Sequence, residues 1–567
     1  MYSAYKRRRM MYHTAMKERK RKAVKFIVYL VLTAFSALLT SLAFPGKYIE
    51  NGLPFLAFFY LIPVFCIIYT SSYRTVWLYG LEYGFLFYYF YNYWLATFHP
   101  LAILIAPILE CVQYAVLFTS LRACRDLFRK HYALLSCLLY NAYLYLTQQG
   151  FLAYPYGNLT SAVYEYTSLI QIVSITGIWG LGLVMSLPQA LAADCILNRM
   201  DRRRFRLFLS SVILLLVIWI IGFFMKAYYD SREPEETVRI AAVQHSADTW
   251  QGGYSTYKEN FETLVSLTEE AMEENPDMVV WSETAFVPSV SWHLTYSVNI
   301  TTRRLVNRFV EFGKSMSVPL ITGNPEGVIR DKDFDPVLED GEWNWKTYNT
   351  VIYFADGEVK GTYRKQHLVP FTEYFPYEKQ FPHLYALLKA NDYKWWEKGE
   401  EATVFSYNGI KFSTPICFED TFGYLSAEFV RGGADMIINL SNDYWSRSVQ
   451  AERQHFQLAV FRAVENRRPL LRSTNSGITA LVLPSGEIVS ELEPFTQSWE
   501  IYEVPVGEKN GLTFYTRHPD LFGKLFVILS VYGVLYSLSR VIFEKNSKKK
   551  ERREYLSHMF ERTADEY

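Results

Sequence analysis

Three residues in the second half of the chain are of types that could run covalent acyl chemistry together. They are Glu283 in VVWSET, Lys365 in GTYRKQHLVPFTEYFP and Cys417 in STPICFED. A thiol nucleophile needs a base to take its proton. It also needs a cation where negative charge develops on the attacked oxygen. A Glu, a Lys and a Cys fill those roles. They stand 82 and 52 residues apart, so only a tertiary fold could join them. Each also has an ordinary reading: Glu283 as a helix cap, Lys365 as a solvated charge, Cys417 as an inert core thiol. Cys417 has no cysteine partner in its segment, which excludes an internal disulfide there. His245, His367 and His455 are not spaced as metal ligands. Hydrogen-bonding roles are expected for them.

The elements that must position this set read as alternating strands and helices. VRIAAVQHS (238–246) and DMVVWSE (277–283) are apolar enough for buried strands. Between them FETLVSLTEEAMEE has the period of an amphipathic helix, as does RRLVNRFVEFGKSMS before the strand PLITGNP. TVIYFADGEVKGTYRK predicts a hairpin turning at Asp356-Gly357. GIKFSTPIC predicts a strand ending at Cys417. Helix YLSAEFVRGG, strand ADMIINLS, helix AERQHFQLAVFRAVENRR and strands PLLRSTNSG, ITALVLP and EIVSELE follow. The pattern predicts α/β layering with ligands gathered where strands end.

On both sides of this domain the sequence becomes a membrane protein. The 567 residues are 50% hydrophobic and 17% aromatic, with 58 basic against 57 acidic residues. That balance disfavours a nucleic-acid binder, and the composition disfavours disorder. Eight apolar stretches approach the ~20 residues a bilayer needs: 24–44, 53–70, 75–98, 101–121, 132–152, 170–197, 207–226 and 521–543. The first is too long for a signal-peptide core and is read as retained. Basic residues cluster at the N-terminus (Lys6 to Lys22), near 122–131, at 198–206 and after Lys548, whereas 153–167 has none. The positive-inside rule then puts both termini in the cytoplasm and the domain outside. The expected organisation is a basic N-terminus (1–22), a seven-helix membrane domain (23–226), a catalytic domain (238–507), a last helix (521–543) and a cytoplasmic tail (544–567). Glu82, Glu110 and Asp194 fall inside apolar runs, where charges are paired or face a cavity. Gly177, Gly180 and Gly182 predict close helix packing. Phe85, Phe87, Tyr88, Tyr89, Phe90, Tyr91, Tyr93 and Trp94 are expected to form an aromatic belt at the outer interface.

WSE, YRKxHLVPFxEYFP, PICFE, NLSNDYW and RAVENRRPLLRSTNSGITALVLPSGEI together resemble the nitrilase superfamily. With seven spans before that domain and one after it, the whole chain resembles the apolipoprotein N-acyltransferase family; AYPYGNL and SITGIWGLGLVM agree. The resemblance implies a polytopic helical bundle carrying a nitrilase-like αββα sandwich. It implies that Cys417 is nucleophile and acyl carrier, Glu283 the general base, and Lys365 the oxyanion stabiliser with the backbone N–H of Phe418. Glu373 would be a second acid that positions Lys365 or the amine. Glu419, Trp250, Asn442, Trp445 and Arg472 would be structural or touch substrate. The implied reaction moves the sn-1 acyl chain of a phospholipid to Cys417, then to the N-terminal amine of S-diacylglyceryl-cysteine on an apolipoprotein. No metal or cofactor is expected, because a preformed ester supplies the acyl group. The expected partners are phospholipid donor, apolipoprotein acceptor and membrane lipid, with no nucleic acid. The expected state is a monomer, multi-pass in a bacterial inner membrane, with its catalytic domain extracytoplasmic.

Two positions depart from the family pattern. Phe418 stands where Tyr is usual, and Thr372 where Gly is common. The segment 376–400 carries Phe381, Leu384, Tyr385, Leu387, Leu388, Trp395 and Trp396 among charges. It suits either an interfacial lid or a packed insertion. Two other functions are alternatives, a membrane-anchored nitrilase-type amidase and a non-catalytic receptor or transporter. The complete Glu, Lys and Cys set disfavours the second, and seven preceding spans are excessive for the first.

Overall fold

The computed structural model describes residues 2–98, 102–128, 131–150, 153–249, 251–296, 299–339, 341–370, 372–375, 377–389, 395–507 and 511–564. Among these, twelve strands fall between Glu236 and Val506. They are β1 (Glu236–Gln244), β2 (Met278–Trp281), β3 (Leu320–Ile329), β4 (Trp345–Ala355), β5 (Glu358–Arg364), β6 (Val404–Tyr407), β7 (Ile410–Ser413), β8 (Met436–Ser441), β9 (Leu470–Thr474), β10 (Ala480–Val482), β11 (Ile488–Glu491) and β12 (Ser498–Val506). They build two six-stranded sheets, ordered β12-β1-β2-β3-β4-β5 and β11-β10-β9-β8-β7-β6. The centres, β1-β2-β3 and β7-β8-β9, are parallel, and the flanks are antiparallel.

Side-chain alternation sets the layers. On β1, Ile240 and Ala242 enter the core that also holds Ile438 and Leu440 of β8, whereas Ala241 and Val243 face the other way. On β2, Met278 and Val280 separate from Val279 and Trp281 in the same manner. The outward set packs on Phe261 and Leu264 of helix Tyr254–Met272 and on Leu305, Val306 and Phe309 of helix Ile300–Ser315. Behind the second sheet, helices Gly423–Arg431 and Val449–Asn466 supply Phe429, Phe456 and Val460. The result is helix, sheet, sheet, helix, with each large buried apolar side chain contributing roughly 1.5–3 kcal/mol. The hairpin β4-β5 turns through Asp356 (φ +51°) and Gly357 (φ +77°), as the Asp-Gly pair predicts. One strand is shorter than expected. β7 stops at Ser413, and Cys417 opens a 3₁₀ turn, Cys417–Thr421.

Helices occupy all eight apolar stretches. Among the described residues, five segments are long and apolar enough to cross a bilayer: Met16–Leu42, Ile103–Phe128, Val173–Leu197, Arg202–Asp230 and Leu521–Arg540. The others, Leu61–Thr70, Val76–Tyr91 and Tyr132–Leu146, have 10, 16 and 15 residues and fall short of ~20. The third stretch breaks after Tyr91 and resumes in the short helix Leu95–Phe98, and the helix of the fifth stops at Leu146. Outward faces of the long helices are apolar, with Val24, Ile27, Ile220, Phe224 and Ile528 exposed. Asp194 is paired within the bundle, accepting from Tyr132, Arg204 and Asn198.

The aromatic belt is not where the sequence placed it. Phe87, Tyr88, Tyr91 and Trp94 are buried, while Tyr89 stays exposed. Helix Val76–Tyr91 lies so close to helix Ala102–Phe128 that a Cβ on Gly80 would sit 2.5 Å from the Tyr114 carbonyl oxygen, and one on Gly84 2.9 Å from the Cys111 Cα. Close approach turns the rings inward. The same segment then reaches the sandwich. Trp94 Nε1 donates to Gln454 (2.9 Å), Tyr93 to Gln450 (3.0 Å) and Thr97 to the Ser446 carbonyl (2.8 Å), while Gln454 Nε2 donates back to the Pro45 and Tyr91 carbonyls.

Candidate active site

Four strand ends converge at one edge of the sandwich. Glu283 lies two residues past β2 and Lys365 directly after β5, in the first sheet; Cys417 follows β7 and Asn442 follows β8, in the second. The Glu283 loop presses onto β3 at Gly323, where an added Cβ would meet the Thr284 nitrogen at 2.3 Å. Only glycine permits that approach, and with it the Gly323 N–H to Ser282 carbonyl bond of 3.1 Å.

Lys365 is fully buried, with Nζ 2.8 Å from Glu373 Oε1 and 3.6 Å from Glu283 Oε1. Glu373 is fixed by the Val369 N–H at 2.8 Å. Glu283 accepts from Asn349 Nδ2 (2.7 Å) through one oxygen and from the Asn442 N–H (2.8 Å) through the other. Burial raises the Glu283 carboxyl above the ordinary range, against the pull of Lys365. Burial also opposes the Lys365 charge, yet Glu373, Glu283 and Cys417 together hold its pKa raised. Burial, and then the Glu283 charge, push the Cys417 thiol well above its ordinary value. The resting nucleophile is therefore a thiol, and its proton must leave as it attacks.

Cys417 has φ +50°, in the left-handed region that a non-glycine residue occupies at a cost of ~1–3 kcal/mol. Glu419 holds the turn in that shape. Its carboxylate accepts from the Ile416 N–H (2.7 Å), the Gln366 and His367 N–H groups (2.6 and 2.9 Å) and the Tyr363 hydroxyl (2.9 Å). One carboxylate thus ties the Cys417 turn to the loop that carries Lys365. Burial still lifts its pKa to about 7. The Phe418 ring stacks on Tyr156 of the membrane domain, with centroids 6.3 Å apart.

Asn442 offers its backbone to Glu283, while its side chain bonds Thr249 (3.1 Å) and Asn475 (3.0 Å). Trp445 lies 5.6 Å from Trp94, at the contact with the membrane domain. Trp396 donates its backbone N–H to the Glu373 carbonyl (2.8 Å), and the Trp395 ring packs on Phe375 and Tyr385. Trp250 lies outside the described residues. Thr372 donates its backbone N–H to Val369 (3.4 Å), within the loop that bears Glu373.

Sequence reasoning missed Asn349, and it named His455 and Arg472 singly without joining them to Asp420 and Asp443 in one buried group beneath the nucleophile. In that group His455 faces Asp420 through Nε2 (2.9 Å) and Asp443 through Nδ1 (3.1 Å). Arg472 spans the same two carboxylates at 3.1 and 2.9 Å. The Cys417 sulfur, an Asp443 oxygen and a His455 nitrogen lie within 4.8 Å of one another. A metal cation does not fit there, because carboxylates engage both imidazole nitrogens and Arg472 Nη2 lies 2.8 Å from Nδ1. Nothing in the sequence singled Asn349 out, because β4 opens with the mixed run WKTYNT before the apolar VIYFA.

Asn349→Leu removes a hydrogen bond to a carboxylate, worth ~1.5–3 kcal/mol. We expect Cys417 acylation to slow by about 10- to 150-fold with the protein still folded, read as the rate of acyl-adduct mass gain.

Two mixed sheets between helix layers, with Glu, Lys and Cys at their converging ends, define a carbon-nitrogen hydrolase domain. Residues 239–508 match the Carbon-nitrogen hydrolase family, and residues 36–191 match the Apolipoprotein N-acyltransferase N-terminal domain. Apolipoprotein N-acyltransferase 1 of Treponema denticola is 36% identical over 94% of this chain and 100% of that protein. Its Treponema pallidum counterpart is 34% identical over 88% of this chain and 94% of that one. The chain belongs to the apolipoprotein N-acyltransferase family. Among solved structures, an amidase from Nesterenkonia sp. matches with 19% identity and a TM-score of 0.34, over 48% of this chain and 92% of that one.

Proposed function

We propose that this protein moves an acyl chain from a membrane phospholipid to the N-terminal amine of S-diacylglyceryl-cysteine on an apolipoprotein, through a thioester on Cys417. The observation that carries the reading is the meeting of Cys417 with Glu283, Lys365 and Glu373 in one cluster, Glu283 and Lys365 buried and the other two partly so, in a sandwich docked on membrane helices.

In the first half, the Cys417 sulfur attacks the sn-1 ester carbonyl. Glu283 takes the thiol proton, and Lys365 with the Phe418 N–H holds the oxyanion. The S–C bond forms, the C–O bond breaks, and the proton passes from Glu283 to the departing glycerol oxygen. In the second half, the amine attacks the thioester. The N–C bond forms, the S–C bond breaks, and Glu283 returns the amine proton to sulfur. Glu373 keeps Lys365 charged throughout. Thioesters also react with water, so a site set over lipid favours the amine. Phe381 and Leu387, 56% and 61% exposed, suit contact with the bilayer surface, while Trp395 braces the insertion from inside. The domain faces the extracytoplasmic side by the distribution of basic loops, and the enzyme works as a monomer.

The test is acyl transfer in membranes, with phospholipid labelled in its sn-1 chain and a diacylglyceryl-cysteine peptide as acceptor. Label on the peptide amine, lost in Cys417→Ser, supports the reading. Label that stops on Cys417 refutes the acceptor. No uptake by folded protein refutes the donor and favours an anchored amidase.

A further inference from the structure

The buried group under Cys417 has no part in the steps above, yet it adjoins the reacting sulfur. Asp443 brings a carboxylate within 4.8 Å of that sulfur, where its charge opposes a thiolate. Nothing in the proposed chemistry requires that charge, so what neutralises it decides how readily Cys417 ionises. Arg472 is one counter-charge, at 2.9 Å. His455 is the other, and it is the adjustable one. Its Nδ1 stands between an acceptor, Asp443 Oδ1 at 3.1 Å, and a donor, Arg472 Nη2 at 2.8 Å. A protonated Nδ1 donates to Asp443. A bare Nδ1 accepts from Arg472 and leaves Asp443 Oδ1 without that bond. Nε2 faces Asp420 at 2.9 Å, so the arrangement with a carboxylate on each side calls for an N–H on both nitrogens.

We propose that His455 is a positioning residue for acylation: as an imidazolium held by Asp420, it screens the Asp443 carboxylate from the Cys417 sulfur. The inference rests on Cys417 being the acyl carrier. The groups facing His455 are Asp420 on the nucleophile turn, Asp443 after β8, Arg472 on β9 and the Tyr156 ring of the membrane domain at 6.3 Å. On its own helix Glu452 lies near Asp443, and burial lifts its carboxyl to about 10, so it stays neutral. Burial and the Arg472 charge oppose the His455 charge, but Asp420 first and then Asp443 outweigh them, and the proton is held up to about pH 9. A group with a raised pKa keeps its proton below that value and loses it above. Screening is therefore complete at neutral pH and fails as pH rises through about 9.

The test follows Cys417 in the full-length protein by two readouts, acylation by phospholipid and alkylation by iodoacetamide, from roughly pH 6 to 10.5. The second readout needs no lipid, so it separates failure of this inference from failure of the acyl-transfer reading. In wild type, acylation should fall on the alkaline side and alkylation should show a second break near pH 9. Asp420→Asn should move both features to lower pH by about one unit. His455→Gln should abolish them, with Cys417 alkylation about tenfold slower at neutral pH. An alkaline limb at the same pH in wild type and Asp420→Asn, or wild-type reactivity in His455→Gln, overturns the proposal. Should neither variant accumulate folded, wild type alone decides: a single ionisation across the range refutes it.

Discussion

Cys417→Ala will hold acyl transfer at background and accumulate no acylated protein, while the variant inserts and folds as wild type does. The loss is expected to be on the order of 10⁶-fold, the scale seen when a covalent nucleophile is removed and only binding and oxyanion contacts remain. Folding should survive because the turn does not depend on the sulfur. Its shape is held by the Glu419 carboxylate and by Asn439 Nδ2 on the Cys417 carbonyl (3.2 Å). Cys417→Ser tests more than bulk. A hydroxyl is a far weaker acid than a thiol, so the Glu283 carboxylate cannot draw enough proton from it, and the serine variant should stay near background. Glu283→Gln keeps the shape and loses the base. We expect acylation about 10²- to 10⁴-fold slower, the range for a positioned general base. Its remaining rate should rise with pH through ionisation of the raised Cys417 thiol, because hydroxide then replaces Glu283. Mass measurement of the acyl adduct distinguishes the three variants, and a Cys417→Ala protein that still labels the acceptor amine would refute the covalent route.

Much of this site was legible in the sequence, because its members lie where apolar strand sequence gives way to polar residues. Glu283 closes DMVVWSE and Cys417 closes GIKFSTPIC, runs whose strands β2 and β7 end two and four residues earlier. The fold class was legible for the same reason. What could not be read depends on how closely elements approach. The rings from Phe87 to Trp94 have the composition of an interfacial belt, and the close helix contact at Gly80 and Gly84 goes with the burial of Phe87, Tyr88, Tyr91 and Trp94. β7 stops at Ser413 although STPIC continues in β-like composition; Pro415 lacks an N–H for the ladder, and Cys417 adopts positive φ. Asn349 reaches Glu283 across 66 residues and a sheet, and His455 meets Asp420, Asp443 and Arg472 from four separate elements. No local pattern marks such partners. Three of the apolar stretches make helices of only 10 to 16 residues, which composition alone did not reveal.

Lys365→Met should fail twice, and the two failures can be separated. Lys365 lies fully buried, 2.8 Å from Glu373 and 3.6 Å from Glu283. Removing one member of such a cluster leaves buried negative charge uncompensated, at about 3–5 kcal/mol. The carboxylates would meet that cost by taking up a proton. Glu283, already raised by burial and by Glu373, would then no longer act as a base at neutral pH. Stability of Lys365→Met should therefore recover as pH falls, since protonation removes the unpaired charge. Adding Glu373→Gln removes one carboxylate outright and should restore most of the stability, measured by thermal unfolding in detergent. It should not restore turnover, because the cation that meets the oxyanion is still missing, a loss of ~10²–10³ in rate on its own. If the double variant regained both stability and acylation, Lys365 would be a structural counter-ion, and the oxyanion would be held by the backbone alone. If it regained stability only, Lys365 acts on the reacting oxygen, and the 2.8 Å bond from Glu373 is what keeps its charge aimed there.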